Sequence, residues 1–118
     1  MKESIIAAKS FHFAISVVEL YKTIIRREKE FVMSKQLLRS GTSVGANIAE
    51  ASGSISKREF IAKMQISYKE AHESLFWIKL LKETNFINEI EFEKMKEMVT
   101  EIIKIMHTIL KTSKLNAR

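Results

Sequence analysis

The sequence predicts an all-α fold: an antiparallel, up-down-up-down four-helix bundle built from residues 1–118 as a single domain. Three observations predict it. The chain has no proline and three glycines, and all 14 of its acids are glutamate. Glutamate and lysine sit well inside helices, whereas aspartate, glycine and proline favour caps and breaks. Apolar residues recur at spacings of three and four through four long segments. The connections between segments are short and polar, which places successive helices side by side in opposite directions. A hydrophobic content of 46% supplies a core for a domain of this size.

The first helix is expected from about Glu3 to Arg27. Ile6, Phe13, Val17, Leu20 and Ile24 form its core stripe, and Ile5, Phe11, Ala14, Val18, Tyr21 and Ile25 broaden it. The run RREKE marks a turn. The second helix is expected from about Glu30 to Ser52, with Leu37, Gly41, Val44, Ile48 and Ala51 in line and Gly53 as a left-handed stop. The third opens on a capping box, Ser56 with Glu59, and carries Phe60, Met64, Ser67, Ala71, Leu75, Ile78 and Leu81 to about Thr84, where Asn85 caps its end. The fourth opens on Asn88 with Glu91 and continues through Met95, Val99, Ile102, Met106, Ile109 and Leu110.

All three glycines fall in GTSVGANIAEASG, residues 41–53. A phosphate loop needs a lysine after its second glycine and a dinucleotide loop needs G-x-G-x-x-G after a strand; neither is present. Gly41 and Gly45 instead share one helix surface, where each costs about 1 kcal/mol relative to alanine. Close helix approach, against the third helix of the same chain or against another subunit, offsets that cost. Beside them runs a polar line, Gln36, Ser40, Ser43, Asn47 and Glu50. Glu50 lies near a helix C-terminus, where a negative charge is disfavoured. It calls for a partner such as Lys57, Arg58 or an arginine across an interface; the alternative is a solvated polar face.

Catalytic and metal chemistry find little support. No Glu-x-x-His pair or H-E-x-x-H motif accompanies His12, His72 or His107, cysteine is absent, and no histidine neighbours Glu50 in sequence. The expectation is a non-enzymatic protein without metal or cofactor. No apolar run reaches the roughly 18 residues of a membrane span and no leader is apparent, so the expected compartment is the cytoplasm. Phe76 and Trp77 lie off the core stripe, which points to a second buried surface and an obligate oligomer; base stacking by Trp77 is the sharper alternative.

The net charge is +6. In an up-down bundle, Lys2, Lys57, Arg58, Lys111, Lys114 and Arg118 gather at one end, and no acid follows Glu101, so Lys104 adds to the same trend. Helix dipoles explain part of this distribution; a polyanion-binding surface is the other reading.

Gln36, Leu37, Arg39, Ser43, the block Asn47-Ile48-Ala49-Glu50, Gly53, Arg58 and Phe60 resemble the signature of the 23S rRNA intervening-sequence proteins. The resemblance covers nearly the whole chain. Ala51-Ser52-Gly53 stands where that family often has contiguous Glu-Gly, and the proline common before the second helix is missing. The resemblance implies a four-helix bundle assembling as a homopentamer, which would repeat the basic end five times. It implies no enzymatic activity. Genes of that family can lie inside inserts of large-subunit rRNA genes, and a distant relative is the accessory protein of diversity-generating retroelements. RNA or DNA is therefore an implied partner. A protein partner, such as a reverse transcriptase or a ribosomal component, is the alternative.

Overall fold

Capping chemistry decides where the helices begin and end. A computed structural model describes the backbone of residues 2–116 and the side chains of residues 5–114. Its helices are α1 (Lys2–Arg27), α2 (Met33–Ser52), α3 (Lys57–Glu83) and α4 (Glu89–Asn116), and the described residues contain no strand. At the start of α4 the capping box closes in both directions. Glu91 N–H donates to Asn88 Oδ1 at 2.8 Å, and Asn88 N–H donates to Glu91 Oε1 at 2.9 Å. At α3 the Ser56 hydroxyl accepts from Glu59 N–H at 3.1 Å. Asn85 ends α3 in the left-handed region, with φ 66°, and Phe86 N–H donates to Leu81 O across it.

One boundary and one cap conformation differ from the sequence expectation. Helix α2 begins at Met33, because Glu30 caps the helix from outside. Its carboxylate accepts from the amides of Val32, Met33 and Ser34 at 2.9, 2.9 and 2.7 Å. Burial pushes the Glu30 carboxyl up, yet these amides and the Ser34 hydroxyl outweigh it and hold it below the ordinary value. Lys29, at φ 55°, reverses the chain just before it. Gly53 does follow the last residue of α2, but with φ −91°, so the stop uses no left-handed glycine. Its N–H turns back to Glu50 O at 3.1 Å.

Paired residues define the packing. Along α2 and α3 the pairs are Ser40–Ser74, Val44–Ser67 and Glu50–Lys63. Along α1 and α4 they are Lys9–Glu101 and Arg27–Glu91. In each set the numbers rise on one helix as they fall on the other. Each helix packs on two neighbours, in the cyclic order α1, α2, α3, α4. The five core-stripe residues expected on α1 and the six on α4 are all buried, as are Leu37, Gly41, Val44, Ile48 and Ala51 of α2. On α3, Phe60 and Leu75 are only half-buried, whereas Ser74, off the expected stripe, is fully buried.

The α2–α3 seam is the most extensive and is lined with hydroxyls. Ser67 Oγ donates to Val44 O at 2.7 Å, and Ser74 Oγ lies 2.9 Å from both Ser40 Oγ and Glu70 O. Small side chains let the two backbones approach, and their hydroxyls are satisfied by the carbonyls this exposes. Among the described residues, no buried side-chain polar atom lacks a partner. No helix of the described residues is long and apolar enough to cross a membrane.

Arg27 staples the end of α1 to the start of α4. Its guanidinium donates to Glu28, to Phe86 O at 3.0 Å, and to both Glu91 oxygens at 3.0 and 3.1 Å. The Arg27 guanidinium, followed by the Asn88 amide, holds the Glu91 carboxyl below its ordinary value of 4.5 despite partial burial. A depressed carboxyl contributes stability that is complete above its unfolded value and is lost as pH falls through the folded one. Because the Arg27 side chain is 38% exposed, the pair should contribute only about 1 kcal/mol. Arg27→Gln is therefore expected to lower the urea midpoint at pH 7, by a difference that shrinks as pH falls below the ordinary carboxyl range and Glu91 takes up its proton. A difference that stays constant across the acid titration would show that the arginine acts through packing.

Candidate nucleic-acid interface

The distinctive surface lies between α3 and α4. Helical spacing puts Gln65, Tyr68 and Lys69 on one edge of α3, at i, i+3 and i+4. It puts His107, Leu110, Lys111 and Lys114 on the facing edge of α4. Together these seven residues line an open groove of about 480 Å³. None of them is acidic. Lys69, Lys111 and Lys114 are not buried, and none of the three is in an ion pair among the described residues. The floor is apolar: Leu110 is 6% exposed and belongs to the core.

Tyr68 is half-buried against the core. Its ring meets His72 edge-on, with centroids 4.8 Å apart and planes at 82°. The His107 ring lies 6.3 Å from it, with its Nδ1 3.5 Å from the tyrosine hydroxyl. The chemistry assembled here is cationic side chains around an aromatic ring, over an apolar floor. It can neutralise phosphates and offer a π-face. His12, His72 and His107 are all exposed, and no cluster of three metal-ligating side chains occurs among the described residues.

The basic residues that stand out in sequence divide between places. Lys111 and Lys114 are in the groove. Lys57 and Arg58 are exposed at the start of α3, about 12 Å of helix rise from Gln65 and on the line of the groove. Lys104 lies in a separate depression with Ile5, Ile105 and Thr108. Arg118 lies outside the described residues, as does the side chain of Lys2. Sequence reasoning misses Lys69, Tyr68 and His107 as binding residues. Lys69 sits mid-helix, and only the packing of α3 on α4 brings it opposite Lys111.

The α2 motif residues have local tasks. Glu50 is paired with Lys63 at 2.8 Å, one turn into α3, and not with Lys57 or Arg58. Asn47 donates to Ser43 O at 2.9 Å. Ser40 is fully buried, so the line from Gln36 to Glu50 is not one uniform face. Gln36 accepts from Arg39 at 3.3 Å. Arg39 in turn donates to Glu70 and Glu73, and Trp77 Nε1 donates to Glu73 at 2.9 Å. The Trp77 indole N–H and then the Arg39 guanidinium hold the Glu73 carboxyl below its ordinary range against partial burial. Trp77 is packed on the core, while its neighbour Phe76 is 55% exposed. Gly41 and Gly45 face α1 and not the third helix, Gly41 against Val17 and Gly45 against Ser10, because the α2–α3 seam is taken up by other small residues, Ser40, Ser67 and Ser74.

The family model for 23S rRNA-intervening sequence proteins matches residues 2–108 of this chain. The chain belongs to that family. A crystal structure of a protein with unknown function from the S23 ribosomal protein family of Bacteroides thetaiotaomicron matches it with a TM-score of 0.92. The two share 46% sequence identity, over 94% of this chain and 99% of that one. No curated protein matches this chain. In this 23S rRNA-intervening sequence protein the matched span includes α2, α3 and the groove residues up to His107; Leu110, Lys111 and Lys114 lie beyond it.

Proposed function

We propose that this protein is a non-enzymatic, cytoplasmic RNA-binding bundle whose contact surface is the α3–α4 groove. The observation that carries the reading is the groove's composition: three lysines, a histidine and a tyrosine with no carboxylate among the lining residues. On an RNA surface those lysines release condensed counterions, so affinity falls steeply as salt rises. RNA is favoured over DNA by the family's association with ribosomal RNA.

The helices follow the antiparallel up-down-up-down order, which the opposed residue pairs support. The assembly is a homopentamer. Supporting it are Phe11 at 66% and Ile15 at 43% exposure, one turn apart on α1. Beside them is an apolar depression of about 340 Å³, floored by the small residues Ala7, Ala14, Gly45, Ala46 and Ala49. Exposed apolar surface of this kind marks subunit contacts.

Fluorescence anisotropy with a labelled RNA and a matched DNA across a salt series tests the binding. Light scattering on the same samples tests the assembly against the 13.7 kDa chain. Submicromolar binding that weakens with salt and prefers RNA supports the reading. An intact oligomer that binds neither nucleic acid at low salt refutes it and turns attention to a protein partner, with the protein acting as an adaptor or accessory subunit.

A further inference from the structure

We infer that the α3–α4 groove takes unpaired nucleotides, seating a single-stranded base against Tyr68, and does not read a double helix. This deepens the RNA-binding reading and rests on it. The reasons are shape and chemistry. The groove holds about 480 Å³ between two helices and is lined in part by Leu110, a buried apolar residue. A duplex presents phosphates on its outside and keeps its base faces stacked inside, so it could touch the rim lysines but leave the floor empty. An unpaired base can enter, cover the apolar floor and lie on the aromatic ring while its phosphates remain outside.

The side chains are arranged for that division of labour. Tyr68 is half-buried, so its ring is held by the core and by the edge-on contact with His72. A ring fixed in advance loses little freedom when a base stacks on it. Lys69 follows Tyr68 on α3, and Lys111 and Lys114 face it from α4, so cations stand on both banks of the groove. His107 adds a second ring at the rim, 6.3 Å from Tyr68. Stacking tolerates any base, which predicts weak sequence preference.

Trp77 offers no comparable platform. Its indole N–H is committed to Glu73, and that face of the bundle carries the Glu70 and Glu73 carboxylates.

The test uses the full chain and three labelled probes: an unstructured 12-nucleotide RNA, the same RNA annealed to its complement, and a mixed-sequence unstructured 12-mer. The single strands should bind at least about tenfold more tightly than the duplex, and similarly to each other. Tyr68→Leu keeps the side-chain bulk against the core and removes the π-face. It should weaken single-strand binding on the order of tenfold and leave duplex binding unchanged. Tyr68→Phe should bind as the parent does, and thermal melts of both variants confirm the fold. Equal or tighter duplex binding, or a Tyr68→Leu loss equal for both forms, overturns this inference while the RNA-binding reading stands. Failure to bind any of the probes overturns both.

Discussion

Replacing Lys69, Lys111 and Lys114 together by glutamine is expected to weaken RNA binding on the order of a hundredfold at about 0.1 M salt. The same variant should flatten the slope of log affinity against log salt by about two to three units, roughly one for each phosphate that no longer meets a lysine. The expectation follows from the groove, where the three lysines stand close together without a carboxylate to neutralise them. A control separates local binding from overall charge. Lys22, Lys79 and Lys94 are also exposed and line none of this groove. Replacing those three by glutamine removes the same charge and should change affinity several-fold at most. Equal losses in the two triple variants would mean that the RNA responds to net charge and not to the groove. Lys104→Gln should likewise have little effect, since Lys104 sits in a different depression. Lys57→Gln with Arg58→Gln should have an intermediate effect if the bound strand continues along the groove to the start of α3.

The second large effect is on stability. Gly41→Ala should lower unfolding free energy by about 1–2 kcal/mol, measured by urea denaturation at fixed protein concentration. A Cβ at Gly41 would stand 2.7 and 2.9 Å from the two Val17 methyls. Val17 is fully buried and β-branched, so it has no easy rotamer to retreat into. The overpacking cost exceeds the roughly 1 kcal/mol that alanine returns through helix propensity. Gly45→Ala is the informative comparison. There the nearest atom is the Ser10 carbonyl oxygen at 3.3 Å, a clash relieved by a shift of a few tenths of an ångström. Its cost and the propensity gain nearly cancel, so Gly45→Ala should sit within about 0.5 kcal/mol of the parent protein. Gly41→Ala and Val17→Ala together should cost less than the sum of their separate costs, because the truncated side chain vacates the space the new methyl needs. An additive double variant would show that the two residues do not meet.

These glycines show how far sequence reasoning reaches. Two glycines four apart inside a helix already signal close approach, because their propensity cost must be offset by something. That the approaching surface is α1, with Val17 against one glycine and Ser10 against the other, comes only from the packed bundle. The capping boxes are the opposite case. Asn88 with Glu91, and Ser56 with Glu59, are local patterns, and the atoms that satisfy them lie within one turn. Glu30 falls between the two cases. It is a good helix former and extends the periodic segment, so the sequence reads it as helical, yet the left-handed turn at Lys29 leaves its carboxylate free to cap α2 from outside.

The candidate site divides along the same line. Lys111 and Lys114 stand out in sequence because no acid follows Glu101. Tyr68 and Lys69 do not, because they belong to a long, mixed-charge helix in which every lysine has a glutamate within a turn or two. For Glu50 the sequence points to Lys57, Arg58 or an arginine across an interface, but Lys63, in the second turn of α3, takes it. Ser40 and Ser74, polar by composition, are buried because each meets the other across the α2–α3 seam.

By itself the sequence determined the helix number, the core stripes of α1, α2 and α4 and most caps, because these depend on interactions within about four residues along the chain. The tertiary structure decided the partner of Glu50, the burial of Ser40 and the make-up of the groove. Each of these joins residues more than ten positions apart, and only the pairing of helix faces brings such residues together.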